Sequence, residues 1–348
     1  MNKRTLGISF AFTVLFGLAQ SLAVAAEDVS KLLQKADQLL KSGKAAASAG
    51  VLREAIRINP DSAEAHVQLG AALATQVDND AYDTAILEEK QALKLDPKSF
   101  AARIILGHIY ANLNKSSEAI SILKEACDIK PSSYGAHRDL GIAYLACGKI
   151  DDAIASFKKA TELKPQAPDA HLKLSILLAK KGNTRDALSE ANEAVHLAPR
   201  DAEAHVALGN ILLESGDEAA SIEPFKTALG LQKDHPNALS GLGWALADRG
   251  NIEEGILDQR KAIRIFPQFL PAYVRLAELL SKQDKNQEAE EQYKAALKIS
   301  PDDAGVGTSY GKFLERIGRK ADAKIAYKKV LEKSPNFKPA TDALSTLK

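Results

Sequence analysis

The motif Ala-x-x-x-x-Pro recurs along the chain at a fixed interval. From the second copy onward its prolines lie 34 residues, or a multiple of 34, apart: Pro97, Pro131, Pro165, Pro199, Pro267 and Pro301. The spacing continues to Pro335, and Lys233 stands where the one missing proline would fall. Only the step from Pro60 to Pro97 differs, at 37 residues, so three residues are inserted there. A period of this length indicates one supersecondary unit per repeat, stacked on its neighbours to bury a shared core.

Within each repeat, the order of apolar and small residues predicts two helices that approach closely. A leucine followed by glycine recurs in the first helix: Leu69-Gly70, Leu106-Gly107, Leu140-Gly141, Leu208-Gly209 and Leu242-Gly243. A small residue in the second helix is followed four residues later by an aromatic: Phe157, Phe225, Tyr293 and Tyr327. This pattern resembles the tetratricopeptide repeat, in which Leu-Gly, Ala-x3-Phe and Pro recur at this period.

Helix ends are marked at matching places in the repeats. Glycines suited to the left-handed backbone that closes a helix stand at the ends of first helices: Gly43, Gly148, Gly182, Gly216, Gly250 and Gly318. Side chains suited to an N-cap stand before first helices: Ser62, Ser99, Ser133, Asp201 and Asp303. Glu89, Ala191 and Gln259 depart from the aromatic of the second helix, so looser packing is expected in their repeats.

These signals predict an all-α fold. The resemblance implies an α-solenoid, a right-handed superhelix of helix-turn-helix repeats, with a C-terminal capping helix at 338–348. About nine repeats begin near residues 29, 63, 100, 134, 168, 202, 236, 270 and 304. They take up residues 27–348 as a single solenoid domain, which leaves no segment for a separate catalytic domain.

The first 26 residues differ from the rest. Lys3 and Arg4 precede an apolar run at 6–24 that ends in small alanines just before Glu27. This is the pattern of a secretory signal peptide, so we expect 1–26 to be removed and the mature protein to be extracytoplasmic, either periplasmic or secreted. The alternative is an uncleaved N-terminal membrane anchor, because about 20 apolar residues just span a bilayer. No later stretch reaches that length, so no membrane span is expected after cleavage.

Charge and residue spacing exclude several ligands. The net charge of +1, without any basic block, gives no electrostatic footprint for nucleic acid. Four histidines share the fourth position of their repeats: His66, His137, His171 and His205. Stacked repeats hold such residues too far apart for a shared metal ion, so the histidines are expected to fill the slot of the family's tryptophan. The sequence therefore predicts no metal and no cofactor.

Other residues of reactive type have structural explanations. Cys127 and Cys147 are expected on the order of 15 Å apart along neighbouring helices, too far for a disulfide. The insertion at 78–83 has only a faint likeness to a calcium loop, because its sixth place is not glycine. It is expected to be a solvated turn that caps a helix. Gly241 and Gly243 follow no strand, so they are expected to serve helix packing rather than phosphate binding.

A second stripe of the first helices, at positions two, five, nine and twelve of the repeat, is too apolar for a solvated face. In the family that the chain resembles, this stripe lines a concave groove that binds extended peptides or partner helices. The predicted groove residues are Val67, Ile104, His108, Arg138, Ile142, Leu172, Ile176, Val206, Asn210, Trp244, Asp248 and Glu278. Trp244, the only tryptophan, is a favoured interface anchor. The alternative is that neighbouring helices cover these side chains as an inner layer of the core.

The sequence therefore predicts a protein that is not an enzyme. We expect an extracytoplasmic scaffold or assembly factor that binds a protein or peptide partner in the groove. No repeat pairs lysine at position five with asparagine at position nine, as carboxylate-clamping relatives do, so apolar pockets and an affinity on the order of micromolar are expected. Two alternatives stay open. One is a structural spacer or self-assembling homo-oligomer with no groove ligand, and the other is an enzyme with a cryptic site at His108 and Arg138.

Overall fold

The computed structural model describes residues 27–76 and 78–347, and the predicted signal segment 1–26 lies outside them. Nineteen helices and no strand occur in these two ranges, which confirms the all-α solenoid class. None of the described helices combines the length and the apolar character that a membrane crossing needs. The described residues divide into two compact units, one that ends at Pro165 and one that begins at Gln166.

The first unit contains eight helices in its described residues. They are α1 (27–41), α2 (Ala45–Ile58), α3 (Ala63–Ala74), α4 (Asn79–Leu95), α5 (Phe100–Asn112), α6 (Ser116–Ile129), α7 (Tyr134–Ala146) and α8 (Ile150–Leu163). From α2 onward each helix packs on the next, and the first helices of successive hairpins also touch, α3 on α5 and α5 on α7.

The second unit contains eleven helices in its described residues. They are α9 (Pro168–Lys180), α10 (Thr184–Leu197), α11 (Ala202–Glu214), α12 (Glu218–Leu231), α13 (Pro236–Asp248), α14 (Ile252–Ile265), α15 (Leu270–Lys282), α16 (Asn286–Ile299), α17 (Ala304–Arg316), α18 (Lys320–Lys333) and α19 (Lys338–Thr346). The odd-numbered helices α9 to α17 are the first helices of hairpins and form a continuous row. They begin at the residues where the sequence repeat begins.

The predicted helix ends are confirmed. All six glycines after first helices have a left-handed backbone, with φ between 69° and 97°. Asn114 (φ 56°) and Asp284 (φ 58°) take that conformation where the repeat lacks glycine. Each predicted N-cap side chain accepts a hydrogen bond from a backbone N–H of the first helical turn: Ser62, Ser99, Ser133, Asp201 and Asp303. Local sequence thus determines where each helix begins and ends.

Glycines of the first helices make room for aromatic rings of the second helices. A Cβ added to Gly141 would lie 2.9 Å from the ring of Phe157. The ring of Phe225 lies between two helices, where a Cβ on Gly209 or on Gly241 would come within 2.8 or 2.3 Å of it. Both phenylalanines are fully buried. The expected close approach of small residues to large ones is therefore confirmed.

Where the repeat lacks its aromatic, the structure differs from the expected loose packing. Glu89 and Gln259 are fully buried and occupy the space of the ring. Gln259 donates from Nε2 to the carbonyl oxygen of Ser240 at 2.8 Å. The third departure, Ala191, is also fully buried. At Glu89 and Gln259 the expectation was wrong, because a long polar side chain fills the gap that a missing ring would leave.

The three-residue insertion adds helix rather than a loop. Helix α4 has 17 residues, whereas the second helices of the other described hairpins have 14. Asp78 precedes α4 and makes no side-chain cap hydrogen bond. The expected solvated capping turn at 78–83 was therefore wrong, because 79–83 form the added first turn of α4. Tyr82 in this turn is buried, and its hydroxyl accepts a hydrogen bond from Asn112 Nδ2 at 3.0 Å.

A side-chain ring at the fourth repeat position forms a hydrogen bond to the turn that precedes its hairpin. Nε2 of His66, His137 and His205 lies 2.9, 2.9 and 3.0 Å from the carbonyl oxygen of the proline six residues earlier. A carbonyl only accepts, so Nε2 carries the proton and donates it. Tyr273 makes the same contact from its hydroxyl to the oxygen of Pro267, at 3.1 Å. The histidines thus fill a structural slot, as the sequence predicts.

Candidate functional site

In the first unit, two predicted groove residues converge on one carboxylate. His108 Nε2 lies 2.7 Å from Asp139 Oδ2, and Arg138 donates to Asp139 Oδ1 from Nε and Nη2 at 3.0 and 2.8 Å. Burial acts to raise the pKa of Asp139, but the hydrogen bonds and charges of His108 and Arg138 outweigh it and lower the pKa. Asp139 therefore stays ionised and holds both basic groups in a fixed orientation.

Apolar groove residues of the first unit differ in exposure. Ile142 is 44% exposed, and Leu145, one turn further along α7, is 36% exposed. Val67 and Ile104 are half-buried, and Ile104 packs against the core between α6 and α7. Two large aliphatic side chains on one helix therefore face solvent close to the charged cluster.

The second unit buries part of the predicted stripe. Leu172 and Val206 are 9% and 3% exposed, so their side chains belong to the core and do not line the surface. Ile176 is 44% exposed, and Asn210 is half-buried. Asp248 is exposed at the last residue of α13. Some residues of the stripe are thus exposed, as a groove lining requires, and others are covered as an inner layer of the core.

Trp244 is the centre of a surface that spans four first helices of the second unit. The indole is half-buried on α13, with Arg275 Cζ 6.0 Å and Lys282 Nζ 5.1 Å from a ring centroid. Two depressions of about 490 and 300 Å3 adjoin it, and Trp244 and Glu278 line both. Glu214 and Asp303 also line the larger depression. Seven of the lining residues are called the Trp244 surface below: Leu213, Trp244, Val274, Arg275, Glu278, Lys282 and Lys312.

Basic side chains outnumber acidic ones around the smaller depression. Lys282, Lys312 and Arg316 line it, with Glu278 as its carboxylate. Burial raises the pKa of Glu278, and the three nearby cations Arg275, Lys282 and Lys312 oppose that rise. Burial also lowers the pKa of Arg275. The smaller depression combines an aromatic face with excess positive charge, which favours a ligand that carries both apolar groups and a carboxylate.

No group of three or more possible metal ligands occurs within residues 27–76 and 78–347. Both cysteines are free; Cys127 is buried and Cys147 is half-buried.

Comparison with known proteins agrees with this architecture. The family described as Cilia and flagella-associated protein 70 C-terminal domain matches residues 78–310, and the family described as tetratricopeptide repeat matches residues 33–87. The chain belongs to the tetratricopeptide repeat family. No curated protein sequence matches it. Proteins of this family act in protein–protein interaction and are generally non-enzymatic.

Solved tetratricopeptide repeat structures share the fold at low sequence identity. PilF of Pseudomonas aeruginosa has 20% identity and a TM-score of 0.55, covering 62% of this chain and 96% of that one. A repeat protein of Parabacteroides merdae has 18% identity and a TM-score of 0.52, covering 73% and 99%. The Cut9–Hcn1 assembly of the APC/C has 18% identity and a TM-score of 0.58, covering 91% of this chain and 62% of that one. These likenesses show the fold alone.

Charged residues beside the predicted stripe were missed at the sequence level. Asp139 and Arg275 stand at position six of their tetratricopeptide repeats, and Lys282 stands at position thirteen. Both positions lie within three or four residues of position nine, so they share its side of the helix. A stripe widened to include them would have contained the cluster at Asp139 and the cations around Trp244.

Proposed function

We propose that this protein binds an extended segment or a helix of a protein partner on the Trp244 surface. One observation carries the proposal: a half-buried indole has two cations within about 6 Å of its ring and adjoins two open depressions. Members of the family bind protein or peptide partners, which supports the same class of ligand here. A tryptophan that keeps part of its ring exposed offers a large apolar contact at small entropic cost.

The chemistry of the Trp244 surface favours a particular ligand. Leu213 and Val274 line the larger depression and suit an aliphatic side chain. Lys282 and Lys312 are exposed on the rim of the smaller depression and suit a carboxylate. We therefore propose a segment in which an apolar residue stands close to an acidic one. Of the remaining predicted groove residues, Ile142 and Ile176, which are both exposed, are proposed as further contacts within their own units.

We also propose that the protein acts outside the cytoplasm, as a scaffold or assembly factor of the cell envelope or the secreted fraction. The support is the N-terminal sequence alone, with Lys3 and Arg4 before the apolar run at 6–24. An extracytoplasmic partner is then expected.

The experiment uses the one tryptophan of the chain. Peptides selected from a displayed random library on the full-length protein are titrated against it, and the emission of Trp244 is recorded. Because no other tryptophan is present, a change in emission reports on this surface. We expect selected peptides to combine aliphatic and acidic residues, to change the emission and to bind with a Kd on the order of micromolar.

A matched pair of variants tests the assignment. Lys282→Glu/Lys312→Glu reverses two charges on the rim and is expected to weaken binding at least tenfold. Lys324→Glu/Lys328→Glu makes the same charge change on exposed residues of α18 outside both depressions and is expected to bind as the wild type does. Equal weakening by both pairs, or a selection in which no binding peptide changes Trp244 emission, would refute the Trp244 surface as the site.

A further inference from the structure

A cavity of about 350 Å3 lies between α16, α17 and α18, away from the Trp244 surface. Its walls include Leu297, Pro301, Gly307, Ala326 and Val330. We call it the last-hairpin slot. Its volume falls in the range of small-ligand pockets, and its lining is mainly apolar.

The repeat shows what such a slot holds elsewhere in the chain. Gly307 stands at the fourth repeat position, where His66, His137, His205 and Tyr273 place a ring that donates to a proline carbonyl. In the last hairpin that side chain is missing. The corresponding carbonyl belongs to Pro301, and it accepts no hydrogen bond within the described part of the chain.

A second substitution enlarges the same space. In two other hairpins the ring's Nδ1 contacts a glutamate, at 2.5 Å between His66 and Glu88 and at 2.6 Å between His171 and Glu190. Ala326 stands at the register position of these glutamates. The last hairpin has therefore lost both the ring and its partner, and the residues at both positions line the cavity.

Val330 fills only part of the space that the missing ring leaves. It stands where the other repeats have alanine, and one of its methyl groups lies 2.5 Å from the point where a Cβ of Gly307 would be. The valine thus covers the backbone at Gly307 but leaves the outer part of the slot open, as the remaining volume shows. A glycine at position four and a valine in place of alanine form a size-matched pair.

The charged side chains on the rim of the slot differ in whether they form ion pairs. Glu290 binds Lys294 at 2.9 Å and Arg319 at 2.7 Å. Lys329 and Lys333, one turn apart on α18, make no ion pair within the described residues, and both are exposed.

The rim carboxylates leave this positive charge largely unmatched. Asp303 caps α17, and Asp322 binds Arg319 at 2.6 Å, so Asp302 is the remaining rim carboxylate. Two lysines that form no ion pair within the described residues outnumber this one aspartate. The resulting positive charge favours a ligand with a negative charge beside its ring. Ile325, 65% exposed on the rim, offers apolar contact to a longer segment.

We infer that the last-hairpin slot binds an aromatic side chain of a protein partner, a tryptophan, tyrosine or histidine with an acidic residue next to it. The ring takes the place that His66 and His205 fill in their own hairpins, and its N–H or O–H donates to the carbonyl of Pro301. The carboxylate of the neighbouring residue pairs with Lys329 or Lys333. This site is independent of the proposed Trp244 surface.

The test titrates the full-length protein with the dipeptide N-acetyl-Trp-Glu-amide by isothermal calorimetry. Two analogues isolate the contacts: one carries 1-methyltryptophan, which has no ring N–H, and one carries glutamine in place of glutamate. We expect the methylated analogue to bind about tenfold more weakly, because the carbonyl loses its donor, and the glutamine analogue about threefold more weakly. Equal affinity of the methylated analogue would overturn the inference.

Variants decide where the dipeptide binds. Gly307→His/Val330→Ala restores the pattern of the other repeats, so it is expected to fold, to fill the slot with its own imidazole and to lose binding at least tenfold. If that variant does not fold, Ala326→Glu, which narrows the slot from α18, is expected to give the same loss. Unchanged binding in a folded variant of either kind would place the ligand elsewhere and overturn the inference.

A gain of binding provides the matched control. His66→Gly/Glu88→Ala empties the equivalent space between α3 and α4 and is expected to raise the stoichiometry by one dipeptide, and an unchanged stoichiometry in the folded variant would contradict the inference. Lys282→Glu/Lys312→Glu weakens any binding of the dipeptide at the Trp244 surface, and in this variant the dipeptide is expected to keep its tenfold preference over the methylated analogue. A loss of binding in that variant would assign the dipeptide to the Trp244 surface and overturn the slot.

Discussion

The carboxyl group of Glu89 lies against Gly70 so closely that a Cβ on Gly70 would come within 2.3 Å of Glu89 Oε1. Glu89 is fully buried, and neither carboxyl oxygen has a hydrogen-bond partner in the described structure. Burial, reinforced by the nearby charge of Glu88, raises the pKa of Glu89 to about 9. The side chain is therefore protonated at neutral pH and fills its space as a neutral group.

Replacing Glu89 by leucine is expected to stabilise the protein. Leu123 fills the same position against Gly107 in the next hairpin, so leucine suits the site. At neutral pH the gain is about 1–3 kcal/mol, the cost of burying a carboxyl group without partners. Denaturant unfolding followed by circular dichroism measures it.

The pH dependence of Glu89 has a definite sign. Between the ordinary glutamate pKa of 4.5 and the folded-state pKa of about 9, the folded state binds the proton and the unfolded state releases it, so the wild type loses stability as the pH rises. The advantage of Glu89→Leu is expected to widen from pH 5 to pH 9. Glu118→Leu, an exposed site on α6, is the control and should change stability by less than about 0.5 kcal/mol at every pH. A difference in the free energy of unfolding between variant and wild type that does not change with pH would contradict burial of an ionisable Glu89 as the cause.

Gly241 is expected to tolerate no added methyl group. A Cβ there would lie 2.3 Å from the buried ring of Phe225, which Gly209 confines on the other side. Gly241→Ala is therefore expected to destabilise the protein by about 1–3 kcal/mol. Gly230→Ala, on α12 with open space around it, is expected to stabilise by about 0.5–1 kcal/mol. Thermal unfolding of both variants checks the contrast, and equal shifts would show that the fit to Phe225 does not matter.

The two cysteines are expected to react at different rates. Burial raises the pKa of Cys127 to about 11, so little thiolate is present at pH 8, whereas Cys147 is half-buried. A maleimide reagent should label Cys147 first and Cys127 only on unfolding. Mass spectrometry of Cys147→Ser and Cys127→Ser over time measures the two rates, and fast labelling of the Cys147→Ser variant would contradict the burial of Cys127.

Expression of the full chain tests the N-terminal segment. In a cell with an active secretory pathway, we expect the exported protein to begin at or near Glu27, after removal of 1–26. N-terminal sequencing of the purified protein provides the measurement. A membrane-bound product that keeps Met1 would support the uncleaved anchor instead.

Periodic sequence features predicted the helices well because they depend on local physics. Glycine at a left-handed position, such as Gly148, and an N-cap side chain, such as Ser133, act within one turn of the backbone. Their positions in the repeat predicted where first helices begin and end. The insertion was misread because its polar residues suit a turn, whereas burial of Tyr82 favours helix.

The candidate sites depended on relations between repeats that no single repeat contains. The sequence could mark Trp244 as an anchor, but Arg275 and Lys282 come from a different helix, and only packing brings them to the ring. Leu172 and Ile142 belong to the same predicted stripe, yet Leu172 is buried and Ile142 is exposed.

The sequence by itself determined the helical hairpins, their register and their ends, since these follow from backbone conformation and a repeated spacing of small and large residues. Only the tertiary structure decided which stripe residues stay open, how Glu89 fills a ring's place, and that Gly307 and Ala326 leave a cavity beside Pro301. Those outcomes depend on the volume and polarity of side chains from different helices, and these side chains meet only when the helices pack together.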